Sequence, residues 1–266
     1  MFLATHGVIR NNSGGGYTAR TTAFATATGI TDATILGALN TFDLGLISNS
    51  LDTKMKAVYP FVGGTSATCK YNFFNPLDTD AAFRLAFNGD ITFSNLGIYF
   101  NGVNGYANTF LTPNLTSLTL NSLSTSVYLR DNNIQSGVSF IARDTVSGSG
   151  GIDLWRYLTS TYIAANSPEV NTSQAVTKGF YNVSRNSSTQ MKLIKNGAVV
   201  STISQNSANL PNNPLVIGAY GVPPIMYYFD KGSYSFFHIS DGMTDGEATT
   251  FYNLVQAMQT SLARNV

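Results

Sequence analysis

Glutamate is scarce in this chain: Glu169 and Glu247 are its only two. Retaining hydrolysis of a glycosidic bond needs two carboxyls about 5–5.5 Å apart, one to attack and one to donate a proton. Glu247 closes Thr244-Asp245-Gly246-Glu247, a capping box whose carboxylate reaches back to its helix start. Glu169 follows Asn166-Ser167-Pro168 in loop context and stands alone. The aspartates Asp78/Asp80, Asp144/Asp153 and Asp241/Asp245 flank turn signals, where Asp bonds its own backbone. No catalytic residue is assigned, and no Gly-x-Ser-x-Gly elbow supplies a serine nucleophile. His6 and His238, the only histidines, stand in a polar leader and an aromatic strand, and the single Cys69 forbids a multi-cysteine zinc site. No metal site is assigned. The one cofactor with a chemical case is calcium, drawn from Asp78, Asp80, Asp131 or Asp153, although no Asp-rich loop of defined spacing frames it.

Aromatic stacking is the remaining chemistry. In Gly151-Ile152-Asp153-Leu154-Trp155-Arg156-Tyr157, period two places Asp153, Trp155 and Tyr157 on one strand face and Ile152, Leu154 and Arg156 on the other. An Asp, a Trp and a Tyr together would suit a sugar. The competing expectation is a core Trp beside an exposed Ile/Leu/Arg face. Tyr220, Tyr227 and Tyr228 sit in a Gly- and Pro-rich loop with much apolar surface, which is expected to be exposed and to meet a subunit or a ligand. These six residues, Asp153, Trp155, Tyr157, Tyr220, Tyr227 and Tyr228, are the candidate carbohydrate contacts.

The elements that must position them follow from composition. A charge fraction of 11% with 43% hydrophobic residues excludes disorder and disfavours helical bundles, whose solvent faces carry Glu, Lys and Arg. A net charge of +1 offers no field for nucleic acid. No run approaches the ~18 apolar residues of a membrane span, and Met1–His6 lacks a signal-peptide pattern, so synthesis in the cytoplasm is expected. Residues 1–30, Gly-rich and polar, predict a flexible arm, either a loose leader or a segment that orders only against a partner. Thr31-Asp32 starts a helix with Ile35, Leu36, Leu39, Phe42, Leu46 and Ile47 on one stripe, the core of a helical segment over 31–62 that gains a further turn at 51–56. Residues 63–243 alternate Tyr, Phe, Val, Ile and Thr runs with turn residues, predicting strands at Thr68–Phe74, Ala82–Phe87, Ser126–Arg130, Val138–Arg143, Ile152–Leu158 and Gly179–Ser184. Asn196-Gly197 predicts a type I′ hairpin with Leu193 opposite Val200 and Ile194 opposite Val199. A C-terminal helix over 244–266 carries Phe251, Leu254, Val255, Met258 and Leu262 on one face. It should dock on the sandwich or a neighbour.

The order of the Asn-Gly hairpin, Leu215-Val216-Ile217-Gly218-Ala219, Tyr228-Phe229-Asp230-Lys231-Gly232, Phe237-His238-Ile239-Ser240 and the Thr-x-x-Glu helix start resembles the closing half of laminin-G-like, concanavalin A-like jelly rolls, over Gly179 to Leu254. Further segments resemble laminin-G-like proteins of tailed phages. They are Lys54–Thr65, Asn75–Leu85, Asn101–Thr109 and Gln259–Val266. The resemblance implies an all-β concanavalin A-like antiparallel sandwich with an N-terminal arm and helix and a C-terminal helix. It also implies a virion fibre or capsid decoration: a non-catalytic homo-oligomer on the capsid or tail that meets other virion proteins and host surface carbohydrate. The rival reading is a glycosidase or depolymerase on the same fold.

Overall fold

A computed structural model describes residues 16–132, 137–143, 150–157, 159–175 and 177–266. Two antiparallel sheets face each other. With strands numbered along the chain, the larger sheet runs β13 (Ala198–Ser204), β12 (Gln190–Lys195), β11 (Gly179–Arg185), β6 (Leu123–Leu129), β17 (Lys231–Ser240), β4 (Gly97–Asn101) and β3 (Ile91–Ser94), and β1 (Met55–Tyr59) also pairs with β17. The smaller runs β10 (Val170–Asn171), β9 (Thr161–Ser167), β8 (Gly151–Arg156), β7 (Gly137–Arg143), β14 (Val216–Ile217), β5 (Tyr106–Asn108) and β2 (Ala86–Asn88). A separate hairpin joins β15 (Tyr220–Val222) to β16 (Ile225–Tyr227). The expected antiparallel sandwich is present.

The core between the sheets is built by alternate residues of each strand, because successive side chains point to opposite faces. Val127 and Leu129 of β6, Phe237 and Ile239 of β17, Phe140 of β7 and Leu154 of β8 are all buried in it. The other face of the larger sheet carries Tyr128, Phe180, Ile194 and Phe236. Helices α1 (Ala19–Thr28), α2 (Ala33–Ser48) and α4 (Asp245–Ser261) cover that face; α3 (Ser66–Cys69) is a single turn. Asp32 caps α2 by accepting from the Thr34 and Ile35 amides, and Leu36, Leu39, Phe42 and Leu46 form its buried stripe. Thr244 and Glu247 form the capping box of α4, whose Phe251, Val255 and Met258 complete this second core. Each such buried side chain contributes roughly 1.5–3 kcal/mol.

Several expectations change. The arm expected over 1–30 is helical over Ala19–Thr28, while residues 1–15, including His6, lie outside the described residues. Thr18 caps α1, Arg20 pairs with buried Asp43 of α2, and Phe24 meets Phe73 edge-on with centroids 5.3 Å apart. The segment has too little apolar surface for its own core, but α2 and Phe73 supply one. Within 31–62, Met55–Tyr59 is a strand because β17 offers it a partner edge. Thr68–Phe74 is not a strand: Thr65 and Thr68 form a capping box around α3, and Cys69 is buried there. Similarly, Asp80–Ala82 is a short 3-10 turn, leaving only the end of Ala82–Phe87 in β2. At the Asn-Gly hairpin, Asn196 and Gly197 take φ values of 48° and 77° and Ile194 faces Val199, but a bulge sets Leu193 opposite Ser201 instead of Val200.

His238 lies on the helix-facing side of β17. It contacts the Ser126 hydroxyl through Nδ1, has Ser240 Oγ 3.1 Å from Nε2, and stands 4.3 Å from the Phe251 ring. Burial pulls it from 6.5 down to about 3. A folded-state value below the unfolded one leaves this stability intact above pH 6.5. Stability is then lost as pH falls toward 3, at about 1.4 kcal/mol per unit. Urea titrations followed by circular dichroism should show the denaturation midpoint falling across that window, and His238→Gln should flatten the fall. An unchanged slope in the variant would exclude His238 as the cause.

Candidate functional site

The alternation in β8 is as read from the sequence, and of the two senses left open the structure takes the one with Trp155 on the outer face. Ile152 and Leu154 enter the inter-sheet core, and Arg156 points inward with 1% exposure. Trp155 belongs instead to a third cluster on the outer face of the smaller sheet, over Val138, Ile141 and Val216. The expectation of a core Trp beside an exposed Ile/Leu/Arg face is therefore overturned. Its physical reason is that Arg156 finds a buried carboxylate between the sheets.

The β15–β16 hairpin folds against this outer cluster, with Tyr220 opposite Tyr227 and Val222 opposite Ile225. Gly221 takes φ +137°, and a Cβ there would lie 2.3 Å from the Ile225 carbonyl oxygen, so the tight pairing requires glycine. The Trp155 ring stacks on Tyr157 (centroids 5.6 Å, interplanar 13°) and meets Tyr220 at 5.3 Å and Tyr228 at 5.1 Å. Tyr162, which the sequence reading missed, extends the row 5.3 Å beyond Tyr157. Trp155 is roofed to 9% exposure, whereas Tyr227 and Tyr228 are 56% and 59% exposed and Ile225 63%. Trp155, Tyr157, Tyr220 and Tyr228 are thus brought into one cluster, with Tyr227 alongside through its pairing with Tyr220. The indole Nε1 is buried without a hydrogen-bond partner.

Two polar groupings hold the patch. Beneath it, buried Asp230 receives the Arg156 guanidinium, the Tyr234 hydroxyl and, at 3.1 Å, the Ser139 hydroxyl. Arg156 also donates to the Lys231 carbonyl at 3.0 Å. The Asp230 amide donates to the Gly218 carbonyl at 2.8 Å, which closes the base of the loop carrying the hairpin. Since Arg156 follows Trp155 and Asp230 lies two residues after Tyr228, the pair joins the two halves of the patch. The sequence hint was an aspartate amid aromatic residues in Tyr228-Phe229-Asp230.

At the edge, Arg143 Nη2 is 2.8 Å from Asp153 Oδ2 and also pairs with Glu169. Asp153 is fully buried, so it is not open to a sugar as its face assignment suggested. Burial pushes its carboxyl up to about 6, against the opposing pull of Arg143. Glu169, read as solitary, is ion-paired. The aspartates considered for calcium are engaged elsewhere: Asp78 pairs with Lys70 at 2.5 Å, Asp80 with Arg84 at 2.9 Å, and Asp131 accepts from the Ser233 amide at 2.9 Å. Among the described residues no three His, Cys, Asp or Glu side chains gather as a metal site.

No family model matches the chain, and no curated protein matches it. Solved structures share its fold. One is of botulinum neurotoxin type C, which depends on two ganglioside molecules to enter cells. It is 14% identical over 78% of this chain and 53% of that one, with TM-score 0.55. The serotype D binding domain gives 11% identity, 77% and 53% coverage and TM-score 0.50. The binding domain of botulinum neurotoxin DC in complex with rat synaptotagmin II gives 14%, 77%, 52% and 0.51. The chain spans about half the length of these proteins. At such identity the likeness is one of fold, and it identifies the sandwich as a jelly roll.

Breaking one partner of a buried ion pair costs about 3–5 kcal/mol because a charge is left uncompensated. Arg156→Met and Asp230→Asn should each lose stability on this scale in urea denaturation. The double variant should lose less than the sum. Additive losses would show that the two charges do not act as a pair.

Proposed function

We propose that this chain is a non-catalytic carbohydrate-binding jelly roll whose sugar platform is the aromatic patch of Trp155, Tyr157, Tyr220, Tyr227 and Tyr228. The observation that carries this reading is a row of contacting rings on the outer face of the smaller sheet, edged by tyrosines more than half exposed. Sugar rings present C–H faces that stack on aromatic rings, while hydroxyls reach the polar edge. Binding domains are among the similar solved structures, and another is of a neurotoxin that depends on gangliosides to enter cells, which supports a glycan as the ligand. The resemblance to laminin-G-like proteins of tailed phages supports a place on a virion as fibre or decoration protein, assembled as a homo-oligomer.

The non-catalytic reading is supported by the fate of the carboxylates. Glu247 accepts from the Thr244 amide at 2.8 Å and pairs with Lys54, while Asp153 and Glu169 share Arg143. None of these stands free as an acid beside a free nucleophile, the arrangement a glycosidase requires.

The single tryptophan provides the assay, since a ligand on the patch perturbs its fluorescence. Tyr227→Ala and Tyr228→Ala remove exposed side chains, so thermal unfolding should move little. Each should weaken glycan binding about tenfold, equivalent to ~1.4 kcal/mol. Wild-type affinity in both variants would move the site elsewhere, and release of sugar from host capsule would replace the binding reading with the enzymatic one. Native mass measurement tests the oligomer, for which a multiple of the 28.5 kDa chain is expected.

A further inference from the structure

The patch has a charge character that selects among sugars. Arg143 is the cation whose guanidinium faces a ring of this patch among the described residues, 6.0 Å from the Tyr220 centroid. Its Nη2 is held by Asp153 at 2.8 Å and by Glu169. One positive charge against two negative ones leaves this edge at −1 when both acids are ionised. Behind the rings, Arg156 and Asp230 cancel each other in the buried interior. Among the described residues no further cation is found against these rings to meet an anionic ligand, and Glu169, its side chain about a quarter exposed, adds a carboxylate at the Arg143 edge.

From this we infer that the site takes uncharged sugars and rejects acidic ones, an inference that rests on the carbohydrate-binding reading above. A sialic acid or uronic acid carboxylate placed on the tyrosines would lose hydration without gaining a counter-charge and would face Glu169. A neutral sugar avoids both penalties. Its C–H face lies on the Tyr227 and Tyr228 rings, and its hydroxyls donate to the Glu169 carboxylate, an acceptor suited to them.

The experiment uses matched pairs: N-acetyllactosamine against its sialylated form, and glucose oligomers against glucuronate-containing ones, read on a glycan array and by Trp155 fluorescence. The neutral member should bind roughly tenfold tighter or more. Raising the salt to about 1 M, where the Debye length is about 3 Å, should narrow the gap through tighter binding of the acidic member. Glu169→Gln should narrow it as well, through tighter binding of the acidic member. Equal affinity, or preference for the acidic member, overturns the charge inference and leaves carbohydrate binding standing. Absence of binding by every glycan overturns both.

Discussion

The ion pair between Arg156 and Asp230 is the interaction on which the outer face of the smaller sheet depends. Taking two charges out of water costs several kcal/mol per ion even after relaxation, and the attraction between them offsets this only when further hydrogen bonds complete the geometry. Here they do: Ser139 and Tyr234 donate to the carboxylate, and the Lys231 carbonyl receives the guanidinium. The pair's position matters more than its energy. It fixes the inward sense of β8, which sends Trp155 outward, and it holds the base of the loop that returns Tyr220 and Tyr228 to meet that Trp.

Charge scarcity has the same structural use elsewhere. Arg264, 1% exposed, donates to the carbonyls of Pro60, Phe61 and Ser235, tying the C-terminal end to the exit of β1 and the middle of β17. Burial lowers it to about 9. Arg185, equally buried, reaches the carbonyls of Ala165, Ser187 and Gln205 and so links β11 to β9. Carbonyl oxygens carry partial charge and tolerate a guanidinium fork without a carboxylate. A chain with few ions thus places three arginines inside as clamps between elements and covers its surface largely with neutral polar groups.

Legibility in the sequence followed the range of the deciding interaction. The Asn196-Gly197 turn, the Thr244–Glu247 box and the α2 stripe are local, and the structure contains all three. The strand at Met55–Tyr59 and the helix at Ala19–Thr28 were misread because their partners, β17 and α2, lie outside any local window. The bulge opposite Leu193 is a packing adjustment that turn chemistry does not encode. For β8, alternation showed which residues share a face but could not show which face is inside, since Asp230 lies 74 residues from Arg156. The tyrosines of the 220–228 loop were found from composition alone, but their convergence on Trp155 required the fold.

The two sheets differ in how their outer faces are covered, and this difference places the candidate site. Helices α2 and α4 bury Phe180 and Phe236 on the larger sheet. On the smaller sheet the hairpin roofs Trp155 and leaves Tyr227 and Tyr228 in solvent. Tyr228 takes φ +47°, a region bulky residues seldom adopt, and persists there because its carbonyl accepts from the Val138 amide at 3.3 Å while Asp230 anchors the chain two residues on. Rings that already stack on one another have few rotamers left to lose when a ligand arrives. The backbone held beneath Tyr228 and the packing of Trp155 against its neighbours therefore serve the same end: rings already ordered, as the binding proposed for this patch requires.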